Sequence, residues 1–255
     1  MSDSASQRDG ISQGTTQTGR YLWILLPLVT GAVATQALIR MGLPVLYPFI
    51  QSEFKLSRAQ VGLITSFFSA GTVITVIFAG WLTDVFGVKR MVTTATLILS
   101  AFLLAFPLAY SFPLILGLVV LIGIVVSPIN PGMTRAVIDW FPIKIRALAM
   151  SVKQMGVPIA GALTAAVLPT LAAAIGWRMA VSTTGLLVLV IAVAFILLYR
   201  DAPRGVQAAH KFNLATLKTI LWNRALMITI IWGAIFVGFQ FIVLSYFMLL
   251  EYNSR

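Results

Sequence analysis

Gly80-Trp81-Leu82-Thr83-Asp84-Val85-Phe86-Gly87-Val88-Lys89-Arg90 closes one long apolar run and opens the next. Two glycines, one acid and two bases sit in these eleven residues, between stretches that hold very little charge. Such a segment reads as a tight, charged turn at a bilayer surface. An ordinary basic turn leaves Asp84 without a purpose, so the acid makes the loop a candidate for more than connection. Gly87 is expected to supply a positive φ where the first helix stops.

The sequence around this turn is that of a polytopic membrane protein. Of 255 residues, 59% are hydrophobic and 10% charged, and the mean hydropathy is +0.97. Soluble domains carry about 25% charged residues, so this chain lacks the polar side chains to coat a surface in water. Seven apolar runs are long enough to cross about 30 Å of hydrocarbon. They lie near 21–50, 59–82, 91–109, 113–138, 146–173, 179–199 and 225–249. Backbone groups in lipid need internal partners, and the runs are continuous rather than alternating, so helices are expected and a β-barrel is not.

The net charge of +11 does not point to nucleic acid. The bases are spaced between apolar runs instead of forming one patch, as in loops retained on the cytoplasmic side. With the N-terminus inside, eleven Lys and Arg fall in inside segments, four outside and three within the runs. That places 200–222 inside and 51–58 and 250–255 outside. Trp23, Trp81, Trp140, Trp177 and Trp222 lie at run ends, where an indole suits the headgroup zone. Residues 1–20 read as a disordered cytoplasmic tail without a signal-peptide core. The chain has no Cys and one His, His210, which reads as a solvated linker residue. No cofactor or metal site is expected. No Walker segment or nucleophile–base constellation is present, so neither ATP-driven pumping nor enzyme chemistry is supported.

The chain also echoes itself. Gly87-Val-Lys-Arg90-Met-Val-Thr-Thr94 returns as Gly176-Trp-Arg178-Met-Ala-Val-Ser-Thr-Thr184 with one residue inserted, and Arg58-Ala59 returns as Arg146-Ala147. The period is about 88 residues and holds three spans. An odd number of spans per repeat turns the second copy upside down, a construction used by secondary transporters.

The Gly80–Arg90 segment resembles the signature loop between helices 2 and 3 of the major facilitator superfamily, written G-x-L-a-D-r-x-G-r-k-r. Val85 and Val88 stand where that pattern has bases. The resemblance extends over about 20–250. It implies an all-α fold with a six-helix bundle of 3+3 inverted repeats at 21–199, a cytoplasmic central linker at 200–222, and a first helix of a second bundle at 223–255. Five further helices would be expected, so the chain reads as an N-terminal half plus helix 7, needing its missing half for function. The resemblance further implies that Lys89 and Arg90 latch to an acid near the end of helix 4, for which Asp139 is the candidate. Gly80, Asp84, Gly87, Lys89, Arg90, Arg135 and Asp139 then form a gating loop. Arg135 and Asp139 are also spaced as a simple i,i+4 ion pair.

Four further residues are candidate solute ligands. Arg40 lies deep in the first run, about 22 Å of helix beyond Leu25, where a charge is costly unless it meets water, a partner or a ligand. The alternative is an Arg that snorkels outward, which Pro44 and Pro48 would ease by bending or ending the helix. Lys153, followed by Gln154, lies about two turns into the fifth run and either faces the cavity or snorkels inward. Asn130, between Pro128 and Pro131, is expected where the fourth run unwinds. The resemblance places the first and fifth helices on a central cavity.

The reading is a secondary transporter in a bacterial-type inner membrane, with lipid around it and a small, anionic solute as its partner. The basic residues in the runs and the lack of deep acids favour an anion. A drug or metabolite exporter of the same superfamily, and a non-transporting seven-span receptor or regulator, are the alternatives.

Overall fold

A computed structural model describes residues 3–201, 222–224, 226–236 and 239, without the side chains of 3–20 and Ile77. Its helices are α1 (Asp3–Phe54), α2 (Arg58–Phe86), α3 (Val88–Ala105), α4 (Phe112–Val126), α5 (Ile129–Trp140), α6 (Ile143–Ile175) and α7 (Trp177–Leu198). A single 3-10 turn, Phe106–Leu108, follows α3, and no strand occurs among the described residues. Six spans are long and apolar enough to cross a membrane, with α4 and α5 counting together as Phe112–Trp140. A separate short apolar helix, α8 (Leu226–Phe236), falls in the expected seventh run. The rest of that run, most of the linker at 200–222, and His210 lie outside the described residues.

Two differences from expectation concern α1. Its helical backbone begins at Asp3, where composition predicts a disordered arm. No proline interrupts 3–20, so a helix nucleated in the apolar run can propagate backwards. The helix also continues through Pro27, Pro44 and Pro48 to Phe54 instead of ending early. Packing against neighbouring spans compensates for the lost backbone bonds.

The 88-residue echo is visible in three dimensions. Gly87 and Gly176 have nearly the same backbone, φ 81° ψ 155° and φ 84° ψ 149°, each ending one helix and starting the next. Side chains with a Cβ rarely adopt such angles, which accounts for glycine at both turns. The most extensive helix pairings are α1 with α6, α2 with α4, and α3 with α7. Exchanging spans 1, 2 and 3 for 4, 5 and 6 turns the first pairing into the second and leaves the third unchanged. The close contacts follow the same rule. Gly156 of α6 packs on the backbone of Thr30 in α1. Shifting both back or forward by one period gives Phe68 of α2 and position 118 of α4, and Phe68 meets α4 at Gly123. The fold is therefore a six-helix bundle of 3+3 inverted repeats.

Polar clusters fasten the two ends of the bundle. At one end, Arg178 pairs with Glu53, donates from Nε to the Pro107 carbonyl at 3.1 Å, and lies 4.5 Å from the centre of the Trp177 ring. The Trp177 indole N–H donates to Glu53 at 2.5 Å. Trp177 is thus buried in a cluster at the start of α7. At the other end, Tyr21 donates to the Leu198 carbonyl and accepts from the Arg200 N–H, at 3.1 and 2.7 Å. Trp140 donates to the Arg200 carbonyl at 3.1 Å, and the Lys89 N–H at the start of α3 donates to the Asp201 carboxylate at 3.0 Å. The root of the linker is held to α1, α3 and α5 together.

Candidate functional site

Three helices supply polar stripes that meet in one cavity of about 550 Å³. From α1 come Gln36 and Arg40, and from α2 come Thr72, Val76, Gly80, Thr83 and Asp84. The third wall holds Ser127, Asn130, Pro131, Thr134, Arg135 and Ile138. Steps of three and four place each set along one helical face. The cavity therefore runs from the middle of α1 to the Gly80–Arg90 loop.

Arg40 is exposed on this wall. Fourteen residues of helix, about 21 Å, separate it from the C-terminal end of α1 at Phe54. The structure sets Arg40 among the residues that line the cavity.

The fourth span breaks where Pro128 removes a backbone donor, with α4 ending at Val126 and α5 starting at Ile129. Ser127, in the break, donates to the Thr72 carbonyl at 3.2 Å, and Thr72 donates to the Phe68 carbonyl at 3.0 Å. Asn130 thereby enters the cavity wall in the first turn of α5.

Lys153 is the one charged side chain in the buried set among the described residues, at 5% exposure. Its ammonium donates to Asn130 Oδ1 at 3.0 Å and Thr134 Oγ1 at 2.8 Å. It does not line the cavity, and it does not snorkel. Gln154, the next residue, is exposed and is not brought to the cavity.

At the loop end, Arg135 donates from Nε to Asp139 at about 3.0 Å, and its Nη1 stands 3.8 Å from Asp84 Oδ1. Asp139 is thus engaged by Arg135 on its own helix rather than by Lys89 or Arg90. An i,i+4 partner needs no movement of a second helix. Lys89 enters the structure through its backbone N–H, at Asp201.

Gln36, Thr72, Ser127 and Thr134 are cavity residues not singled out from the sequence. Gln36 is four residues before Arg40, and Thr134 four after Asn130, so helical spacing from those anchors would have found both. Thr72 has no such signal among the several Thr of α2. Asp201 and Glu53 lie far in sequence from the helix starts they hold, which no local pattern reveals.

The Major Facilitator Superfamily profile matches residues 29–254. The chain belongs to this superfamily. It is 30% identical over 165 residues to the hexuronate transporter of Bacillus subtilis, covering 65% of this chain and 39% of that protein. A probable sulfoacetate transporter of Cupriavidus necator is 29% identical, with 64% and 38% covered. The galacturonate transporter of Dickeya chrysanthemi is 27% identical, with 70% and 52% covered. This superfamily chain thus spans between 38% and 52% of the length of these relatives. Among solved structures, a bacterial homolog of the human lysosomal transporter Spinster, inward-facing and occupied, superimposes with TM-score 0.59 at 22% identity, covering 75% of this chain and 47% of that one. A peptide transporter in complex with sulfate gives TM-score 0.60 at 18% identity, with 88% and 46% covered. These two likenesses concern the fold. The chain is a multi-pass membrane protein of a superfamily whose matched bacterial relatives are named as transporters.

Proposed function

We propose that the chain forms the first bundle of a secondary transporter that carries a small organic anion by alternating access. The observation that carries this reading is Arg40, a fixed cation at mid-helix on the wall of a cavity otherwise lined, away from the loop, by neutral side chains. Asp84 is the acid among the lining residues, and it lies at the loop end with Arg135 beside it. An anion entering from the loop side meets a guanidinium at depth and no carboxylate there. A cation meets the reverse. The relatives named for hexuronate, galacturonate and sulfoacetate all handle anions. Alternating access needs a second bundle rocking against this one across the site. The deciding experiment is a thermal-shift panel on the purified full-length carrier, with galacturonate, galactarate and sulfoacetate against galactose and choline. Stabilisation by anions alone is expected; stabilisation by choline alone would favour the exporter.

In this reading the N-terminus, the Gly80–Arg90 loop and 200–222 face the cytoplasm of a bacterial inner membrane. Reporter fusions after Ser4 and after Tyr110 are expected to report opposite sides. A common side would remove the even–odd order of the spans.

Asp84 and Arg135 serve as the inner gate. Asp84→Asn keeps the side chain's size and removes its charge, so Arg135 loses the ion pair that reaches across to α2. Uptake per membrane-inserted carrier is expected to fall severalfold while the inserted amount stays near wild type. Wild-type uptake by Asp84→Asn would make the segment an ordinary turn.

A further inference from the structure

We propose that Lys153 is a positioning residue: it does not meet the transported anion, but fixes which end of the Asn130 carboxamide the cavity sees. The inference rests on the anion-carrier reading above and deepens it. An ammonium has only hydrogens to offer, so the group it bonds must present oxygen. Lys153 Nζ takes Asn130 Oδ1 at 3.0 Å. The carboxamide holds its oxygen and its NH₂ on opposite arms of one plane. Asn130 lines the cavity and Lys153 does not, so committing the oxygen to Lys153 leaves the NH₂ as the arm offered to the cavity.

Thr134 is committed as well. Its oxygen accepts from Lys153 at 2.8 Å, and its hydrogen goes to the Asn130 main-chain carbonyl at 3.0 Å. With that hydrogen spent, Asn130 is the group of this pair that donates to a solute. Its two N–H bonds add to the guanidinium of Arg40 on the same cavity. Without Lys153, the carboxamide is free to turn over and present its oxygen, which repels an anion. The buried ammonium also polarises the amide that it holds.

The backbone keeps Lys153 in this role. One turn beyond it, Gly156 packs on α1 so closely that an added Cβ would meet the Thr30 carbonyl at 2.5 Å. α6 therefore has no room to rotate and bring the ammonium to the cavity face.

The test has two arms, both on the full-length carrier. In the first, galacturonate affinity is measured for Lys153→Met, Asn130→Ala and the double variant. Each single change is expected to weaken binding about tenfold, and the double change no more than either alone. Lys153→Gln retains donors for the same oxygens without charge and is expected to stay within about threefold of wild type. Losses that multiply in the double variant, or a Lys153→Gln as weak as Lys153→Met, would mean that the ammonium binds the anion itself and would overturn the proposal.

The second arm needs no bound anion. These 255 residues contain no cysteine, so in a full-length carrier with any cysteine of the second half replaced by serine, single cysteines introduced here give a clean signal. Asn130→Cys is expected to react readily with a water-soluble methanethiosulfonate and Lys153→Cys only slowly. Equal rates would place position 153 on the cavity and overturn the proposal. If wild type binds no anion while this labelling contrast holds, the anion-carrier reading fails, and the shielded place of Lys153 behind Asn130 stands.

Discussion

Arg40→Ala is expected to abolish nearly all anion binding, weakening it at least thirtyfold in Kd. Removing one partner of a buried, charge-assisted contact costs about 2–5 kcal/mol, much of it the penalty on the partner left behind. Here the partner left behind is the carboxylate of the solute, facing a cavity whose nearest remaining charge toward the loop includes Asp84. Arg40→Lys is expected to fall between wild type and alanine. Lysine keeps the charge but loses the planar fork that grips both oxygens of a carboxylate. Membrane insertion, measured alongside, is expected to stay near wild type, because Arg40 stands exposed on the cavity wall. Isothermal titration with galacturonate, or its thermal shift, checks both variants. If Arg40→Ala binds galacturonate as wild type does, the guanidinium has another role and the anion reading loses its main support.

How much of this site the sequence discloses depends on contrast. Arg40 is legible because a charge inside an apolar run must be explained by something. Asn130 is legible because two prolines flank it and predict the break that the structure places at Ser127–Pro128. Lys153 has the same contrast, yet its direction is hidden. Whether a lysine two turns into a helix reaches water, a ligand or a neighbour depends on how close the next helices stand, and that is fixed by Gly156 against Thr30. Neutral residues carry still less contrast. A Thr in a membrane helix can bond its own preceding turn, as Thr30, Thr72 and Thr83 do, so its presence does not announce a cavity.

The fold is more legible than the site for a related reason. Span length, loop charge and the echo of Gly87–Thr94 in Gly176–Thr184 each report on the bilayer, which imposes one geometry on the whole chain. The echo also fixes handedness of the problem: three spans per copy leave only an inverted second copy. Family resemblance supplies roles for Lys89, Arg90 and Asp139 without the distances, whereas the i,i+4 spacing of Arg135 and Asp139 is itself legible in the sequence. The structure gives Asp139 to Arg135, and gives the α3 start to Asp201, 112 residues away.

The bundle itself should fail at Gly71 and Gly123, where α2 and α4 cross. An added Cβ at Gly123 would sit well inside van der Waals contact of the Phe68 carbonyl, and one at Gly71 equally close to the Val120 carbonyl. Both obstacles are backbone, so no side chain can swing aside, and the helices must move apart. In lipid there is no hydrophobic drive to hold them together; close backbone contact is itself the attraction. Separation also strains the bonds of Ser127 and Thr72 that tie the two helices near the cavity. Gly123→Ala and Gly71→Ala are each expected to destabilise by about 1–3 kcal/mol. Made together, they should cost less than the sum, since the second methyl enters a gap that the first has opened. Gly117→Ala on the same helix is the control. It has open space around its Cβ, and alanine is the better helix former by about 1 kcal/mol, so its effect should be neutral or favourable. Thermal midpoints of the purified full-length carrier distinguish the three. A Gly123→Ala protein as stable as Gly117→Ala would mean that α2 and α4 do not cross at this distance, and the cavity wall that depends on their contact would have to be redrawn.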